Sequence, residues 1–174
     1  MKEIALNILD IANNSIRAKC KLLSIEIIEN SKENLLSLSI MDDGCVMSYE
    51  VLNIVTDPFF SSRKTRHIGL GVPFLKQHAE MAGGSFSIQS EIGVGTKVLA
   101  TFQLNHPDRQ PLGDVADVMS MIIASNPEID YYFHHVIDED EVELDTRLVK
   151  QELDGIPINE PEVIKLLKDM MSFD

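Results

Sequence analysis

The sequence predicts an α+β fold, a two-layer α/β sandwich carrying a helix-rich acidic C-terminal extension. Three observations predict it. A helical apolar period over residues 2–18 runs into two strand-like segments, 22–29 and 35–41, joined by a short polar turn. A second helical segment, 70–82, runs into two more strands, 85–91 and 96–104, around Gly93-Val94-Gly95. The charge then changes abruptly. Residues 1–105 hold 11 acids and 10 bases, whereas residues 106–174 hold 17 acids and 5 bases, so nearly all of the net charge of -13 lies in the C-terminal part. A helix and an antiparallel strand pair, repeated, can bury one sheet face under one helix layer. The expected division is a domain over 1–105 and an acidic α/β extension over 106–174, packed on or beside it. Pro107 and Pro111 mark the linker.

In the first helix, Ile4, Ile8, Ile11 and Ala12 or Ser15 form one buried stripe. Asn7, Asp10, Asn14 and Arg17 share another face at three- and four-residue spacing. Leu36, Leu38 and Ile40 alternate with Ser37 and Ser39, a half-buried strand. Ser48 is a candidate N-cap for a short helix over 49–55. Residues 57–68 lack periodicity and hold Arg63, Lys64, Arg66 and His67, which reads as a mobile loop. Pro73 fits the first turn of the helix over 70–82, and Gly83-Gly84 ends it. Beyond the linker, 113–125 reads as a helix, and 131–137 and 141–144 as a hairpin around Asp138-Glu139-Asp140. Helices over 146–154 and 160–171 close the chain, the last with Asn159 as cap and Pro161 in its first position.

The composition bounds the function. The chain's 174 residues suffice for one domain with a small extension, and 44% hydrophobic content supplies a core. No apolar run approaches the ~20 residues that cross a bilayer, and an early acid, Glu3, with Asn7 and Asp10 behind it makes a poor signal peptide. No membrane association is expected. Cys20 and Cys45 are too few for a disulfide framework or a thiolate zinc site, which fits a reducing cytoplasm. The acidic balance argues against nucleic acid, which wants a basic face.

Four short segments carry chemistry. Asn14 offers a neutral amide oxygen suited to Mg2+ that bridges phosphates, and Asp10, one turn earlier, points the same way and is the candidate catalytic carboxylate. Alone, this stripe reads more plainly as the solvated face of a surface helix. Asp42 ends an alternating strand beside Gly44 and can accept from an exocyclic amine such as N6 of adenine; alone, Asp42-Asp43-Gly44 is an ordinary turn. Gly69-Leu70-Gly71 opens a helix after a basic loop, and bare N–H groups there attract phosphate; a flexible, solvated loop is the plainer reading. Gly93-Val94-Gly95-Thr96 suits any hairpin, and Thr96 either holds a base through water or starts a strand.

In this order and spacing the four segments resemble the N box (residues 10–18) and the three Gly boxes (42–47, 69–71 and 93–96) of the GHKL superfamily of ATP-binding domains, the Bergerat fold of DNA gyrase, heat-shock chaperone, histidine kinase and MutL-type proteins. The resemblance covers 1–105. Asp57-Pro58-Phe59-Phe60 is similar to the phenylalanine box of kinases. The resemblance implies ATP and Mg2+ as cofactors, Asn14 as the metal-coordinating residue, Asp42 as the reader of adenine, residues 61–71 as an ATP lid with Lys64 on phosphate, and Thr96 as a water-linked adenine contact.

Two departures bear on activity. ATP-hydrolysing members carry Glu where this chain has Asp10, which is shorter by one carbon–carbon bond, about 1.5 Å. Val46 stands where the first Gly box has its second Gly; if that position needs φ > 0, Val costs about 1–3 kcal/mol of strain. The resemblance therefore implies a regulatory protein kinase or ATP-dependent switch acting on another protein. The alternatives are a degenerate, non-catalytic interaction module whose nucleotide site Val46 impairs, and a simple ATPase. In the extension, His134 and His135 are neighbours on a strand and so face opposite sides, a poor metal pair. Either could accept a phosphoryl group, although core aromatics with one exposed His is the plainer reading.

Overall fold

Leu23, Ile25 and Ile27 alternate with Ser24, Glu26 and Ile28 along β1 (Leu22–Asn30), and only the first set is fully buried. The same alternation runs through β2 (Leu35–Asp42), with Leu36, Leu38 and Ile40 inside, and β4 (Gly95–Gln103), with Val98, Ala100 and Phe102 inside. A period of two with one apolar set demands one covered face. The structure, a computed structural model, describes residues 3–44, 71–91 and 93–174. Its strands form one six-stranded sheet in the order β3-β4-β2-β1-β5-β6, where β3 is Phe86–Glu91, β5 is Asp130–Ile137 and β6 is Asp140–Asp145.

The described helices are α1 (Ile4–Arg17), α2 (Gly71–Met81), α3 (Val115–Ser125), α4 (Thr146–Glu152) and α5 (Pro161–Met170). α1 packs between α2 and α3, and Ile4, Ile8, Ile11 and Ala12 join the sheet's apolar face in one core, as the helical period predicted. The α+β sandwich expected from the sequence is the fold observed. None of the described helices is long and apolar enough to cross a membrane.

Residues beyond 105 continue the same sheet. β5 runs parallel to β1, with Ile25 opposite Phe133 and Ile27 opposite His135, and β6 returns antiparallel as the expected hairpin. The linker also caps α1. Glu3, the N-cap residue, makes no side-chain capping bond. The Ile4 and Ala5 N–H groups instead donate to the carbonyls of Pro111 and Leu112, at 3.0 and 2.8 Å. Two of the first-turn donors that a helix leaves unsatisfied are thus satisfied from across the chain.

One local expectation is corrected. Glu160, not Asn159, is the N-cap residue of α5, and no side chain bonds to the cap. Pro161 holds the first position as expected, and Glu162 in the first turn favours the positive end of the helix. The helix expected over 49–55 with its Ser48 cap and the loop over 57–68 lie outside the described residues.

Candidate functional site

The site is built where four elements end together. β2 terminates at Asp42, β4 begins at Gly95, α1 is in its last turn at Asn14 and Ser15, and α2 begins at Gly71. Cross-strand register stacks two rows on the helix-covered face. Ile40, Val98 and Ile88 form an apolar row across β2, β4 and β3, and Asp42, Thr96 and Ser90 form a polar row just beyond it. Above these rows lies a small, partly open pocket walled by Asn14, Ser15 and Val72. An apolar floor with a polar edge is the usual chemistry of a site for a flat heteroaromatic ring.

Asp42 is 8% exposed, so its carboxylate needs partners. Oδ2 accepts from Ser15 Oγ at 2.6 Å, and Oδ1 accepts from the Gly44 N–H at 2.9 Å. Among the described residues each oxygen has this one partner, and a carboxylate oxygen can accept a second bond. The Thr96 hydroxyl, also buried, shares a hydrogen bond of 3.0 Å with Ser90 Oγ. Asp43 turns the other way and ties the Lys21 and Leu22 N–H groups to its Oδ1, at 2.7 and 3.0 Å, fixing the β2 turn against the start of β1. Cys20 sits behind this turn; burial, then the negative charges of Asp42 and Asp43, push its thiol up to about 12.

Two glycines permit the approach. At Gly95, φ is +122°, and a Cβ would lie 1.8 Å from the Asp42 carbonyl oxygen, so only glycine lets β4 start beside the end of β2. At Gly71 a Cβ would lie 2.6 Å from Asp10 Cβ, so this position of α2 must be bare for that helix to cross α1 at Asp10.

The structure brings Asn14, Asp42 and Thr96 to one pocket, with Gly44 bonded to Asp42. Asn14 is 8% exposed and its Oδ1 lies 3.5 Å from Arg17 Nη1. Asp10 is half-buried against Gly71, one turn before Asn14, and burial raises its carboxyl above its ordinary value against the opposing charge of Arg17. The polar stripe of α1 is therefore buried at Asn7 and Asn14 and reaches solvent at Arg17. Its earliest member, Asn7, is fully buried, and neither amide atom has a hydrogen-bond partner among the described residues. Lys64, Gly69, Leu70 and Val46 lie outside the described residues, as does the phenylalanine-box segment. Sequence reasoning missed Ser15 and Ser90 as partners of Asp42 and Thr96. A serine ending the apolar stripe of α1 was the available signal for the first; the second was written only in the β3–β4 register.

Among the described residues no three His, Cys, Asp or Glu side chains gather to hold a metal. Asn14 is the amide side chain among the described residues that line the pocket.

The family model describing histidine kinase-, DNA gyrase B- and HSP90-like ATPases matches residues 2–106. The chain belongs to this ATPase family. A putative sensor protein of Shewanella frigidimarina is 28% identical over 109 residues, 62% of this chain and 16% of that protein. The osmosensing histidine protein kinase SLN1 of Saccharomyces cerevisiae is 30% identical over 93 residues, 51% of this chain and 8% of that kinase. The ATPase-family chain thus spans a small fraction of these relatives. Among solved structures, the Aquifex aeolicus MutL ATPase domain complexed with ADP superposes with a TM-score of 0.51 at 14% identity, over 88% of this chain and 68% of that one. That likeness supports the fold.

Proposed function

We propose that the chain binds Mg-ATP and acts on another protein as a regulatory kinase or ATP-dependent switch in the cytoplasm, with neither nucleic acid nor membrane as partner. The observation that carries the nucleotide reading is Asp42: a buried carboxylate oriented by Ser15 and Gly44 at the end of an apolar floor. In this reading Asp42 accepts from the adenine amine, Thr96 supports the same edge, and the ring lies over Ile40, Val98 and Ile88. Asn14 would hold magnesium through its amide oxygen, and the ion would supply charge that neutralises the phosphates. Asp10 orients an acceptor hydroxyl or water. The bare Gly69-Leu70-Gly71 backbone and Lys64 contact the phosphates. Residues 1–105 form the ATP-binding domain, and 106–174 an acidic extension that continues its sheet.

The kinase reading draws on the histidine protein kinase among the relatives. Calorimetric titration with Mg-ATP tests the site. Wild type is expected to bind; Asp42→Asn, with an unchanged circular dichroism spectrum, is not. Equal affinity in the two would overturn the assignment. Labelled phosphate transferred to a protein supports a kinase, whereas phosphate released without a partner makes the chain a simple ATPase.

Val46 favours a second reading, the degenerate interaction module. A ligand that binds the folded state raises the melting temperature. Under the second reading, millimolar Mg-ATP gives no shift for wild type and a clear one for Val46→Gly.

A further inference from the structure

We propose that the groove beside α5 docks a basic amphipathic segment of a partner protein. Ile156, Pro157, Pro161 and Val163 line an open groove between the end of α4 and the first turn of α5, rimmed by Asp154, Glu160 and Glu162. Along α5, Val163, Leu166 and Met170 fall at i, i+3 and i+7, so the groove continues as a stripe of about 10 Å on the helix. Ile156, Leu166 and Met170 are 55, 58 and 42% exposed, while Leu167 and Met171 on the adjoining stripe of the same helix fill the core. α5 is therefore apolar over a wider arc than its packing uses. The charge around that arc is one-sided. Residues 152–174 hold 6 acids and 2 bases, and one of those bases, Lys168, is engaged with Asp117 at 2.9 Å. Favourable helix-terminus electrostatics account for Glu162. They do not account for Asp154 on the far rim or for the exposed apolar side chains.

The occupant follows from the charge. A second copy of this chain, at -13, would set identical acidic rims against each other. Anionic lipid and nucleic acid are repelled for the same reason. A helix or extended segment with apolar residues on one face and Lys or Arg beside them satisfies both parts. Its apolar face covers Ile156, Val163, Leu166 and Met170, and its cations meet Asp154, Glu160 and Glu162.

The test uses the full chain and a labelled helical peptide of Leu and Lys, about 15 residues or roughly 22 Å long, with a Leu/Glu counterpart, followed by fluorescence anisotropy. The Leu/Lys peptide is expected to bind at low salt and to weaken towards about 1 M salt, where the screening length is about 3 Å; the Leu/Glu peptide is not expected to bind. Two independent variants, Ile156→Ser with Leu166→Ser, and Asp154→Asn with Glu160→Gln and Glu162→Gln, are each expected to weaken binding about tenfold or more. Both change exposed side chains, so the circular dichroism spectrum should hold. Neutralising Asp138, Glu139 and Asp140, on the remote β5–β6 turn, is expected to leave the affinity unchanged. Equal loss from the remote variant, no loss from either groove variant, binding of anionic vesicles at the groove, or a dimer that the groove variants dissociate would each overturn the proposal.

Discussion

Replacing Gly95 with alanine tests the claim that the pocket proposed to hold nucleotide depends on how closely β4 starts beside β2. The added methyl carbon would stand 1.8 Å from the Asp42 carbonyl oxygen and 2.7 Å from its carbonyl carbon. Both atoms are backbone in the strand that presents Asp42, so relief requires the strand ends to part by about 1 Å. That separation loosens the bonds around the Asp42–Thr96 pair, each worth about 1 kcal/mol. The φ of +122° adds about 1–3 kcal/mol of strain for any residue with a Cβ. The expected destabilisation is about 3 kcal/mol, which for a chain of this length lowers Tm by roughly 6–12 °C. Gly93 supplies the internal control in the same hairpin. Its φ is +79°, but none of the described residues lies within 4 Å of its absent Cβ, so Gly93→Ala should cost only the backbone strain, about 1 kcal/mol. Urea unfolding measures both variants, and Mg-ATP calorimetry below their melting points measures the pocket. Gly95→Ala should weaken ATP binding and Gly93→Ala should not. Equal effects of the two substitutions on stability and affinity would refute the reasoning.

Ser15→Ala removes the donor to a buried carboxylate and is expected to cost about 1.5–3 kcal/mol in urea unfolding and to weaken Mg-ATP binding; a neutral result would mean that Asp42 does not rely on Ser15. His134 bridges Glu141 at 2.7 Å and Glu26 at 3.1 Å, bonds that raise its pKa above the ordinary value near 6.5. The imidazolium's stabilisation is therefore fully present below about pH 6.5 and is lost as pH rises through the raised folded value. Both carboxylates are substantially exposed, so the effect should stay below about 1 kcal/mol. The stability difference between wild type and His134→Gln should shrink from pH 6 towards pH 9, and a constant gap would remove His134 from the pH response. Cys20, buried with its thiol raised to about 12, should resist a disulfide reagent at neutral pH in a Cys45→Ser background and react on unfolding; rapid reaction of the native protein would contradict the burial.

Local pattern made most of this protein legible. The period of α1, the alternation in β1 and β2, the glycine hairpin between β3 and β4, and the order of the four short motifs are properties of neighbouring residues, and each names an element without knowledge of the rest of the chain. The motif residues Asn14, Asp42 and Thr96 meet at one pocket because each stands at the end or in the last turn of its element, on the side facing the core. The fates of the polar residues on α1 were less legible. Helical spacing put Asn7, Asp10 and Asn14 on one face, but whether that face was wet depended on α2 crossing it, a contact about 60 residues away in sequence that leaves no trace in the local period.

By itself, then, the sequence determined the elements, the two-layer class and the motifs that identify an ATPase-family domain. Only the tertiary structure decided that β5 pairs in parallel with β1, so that the acidic C-terminal residues extend the same sheet. It alone decided that the carbonyls of Pro111 and Leu112 cap α1, that Ser15 holds Asp42, and that Ser90 meets Thr96. The physical reason is common to all of these. A hydrogen bond between distant segments needs only a donor and an acceptor with matching geometry, which nearly every residue can supply. The choice among partners therefore falls to the packing of the whole core.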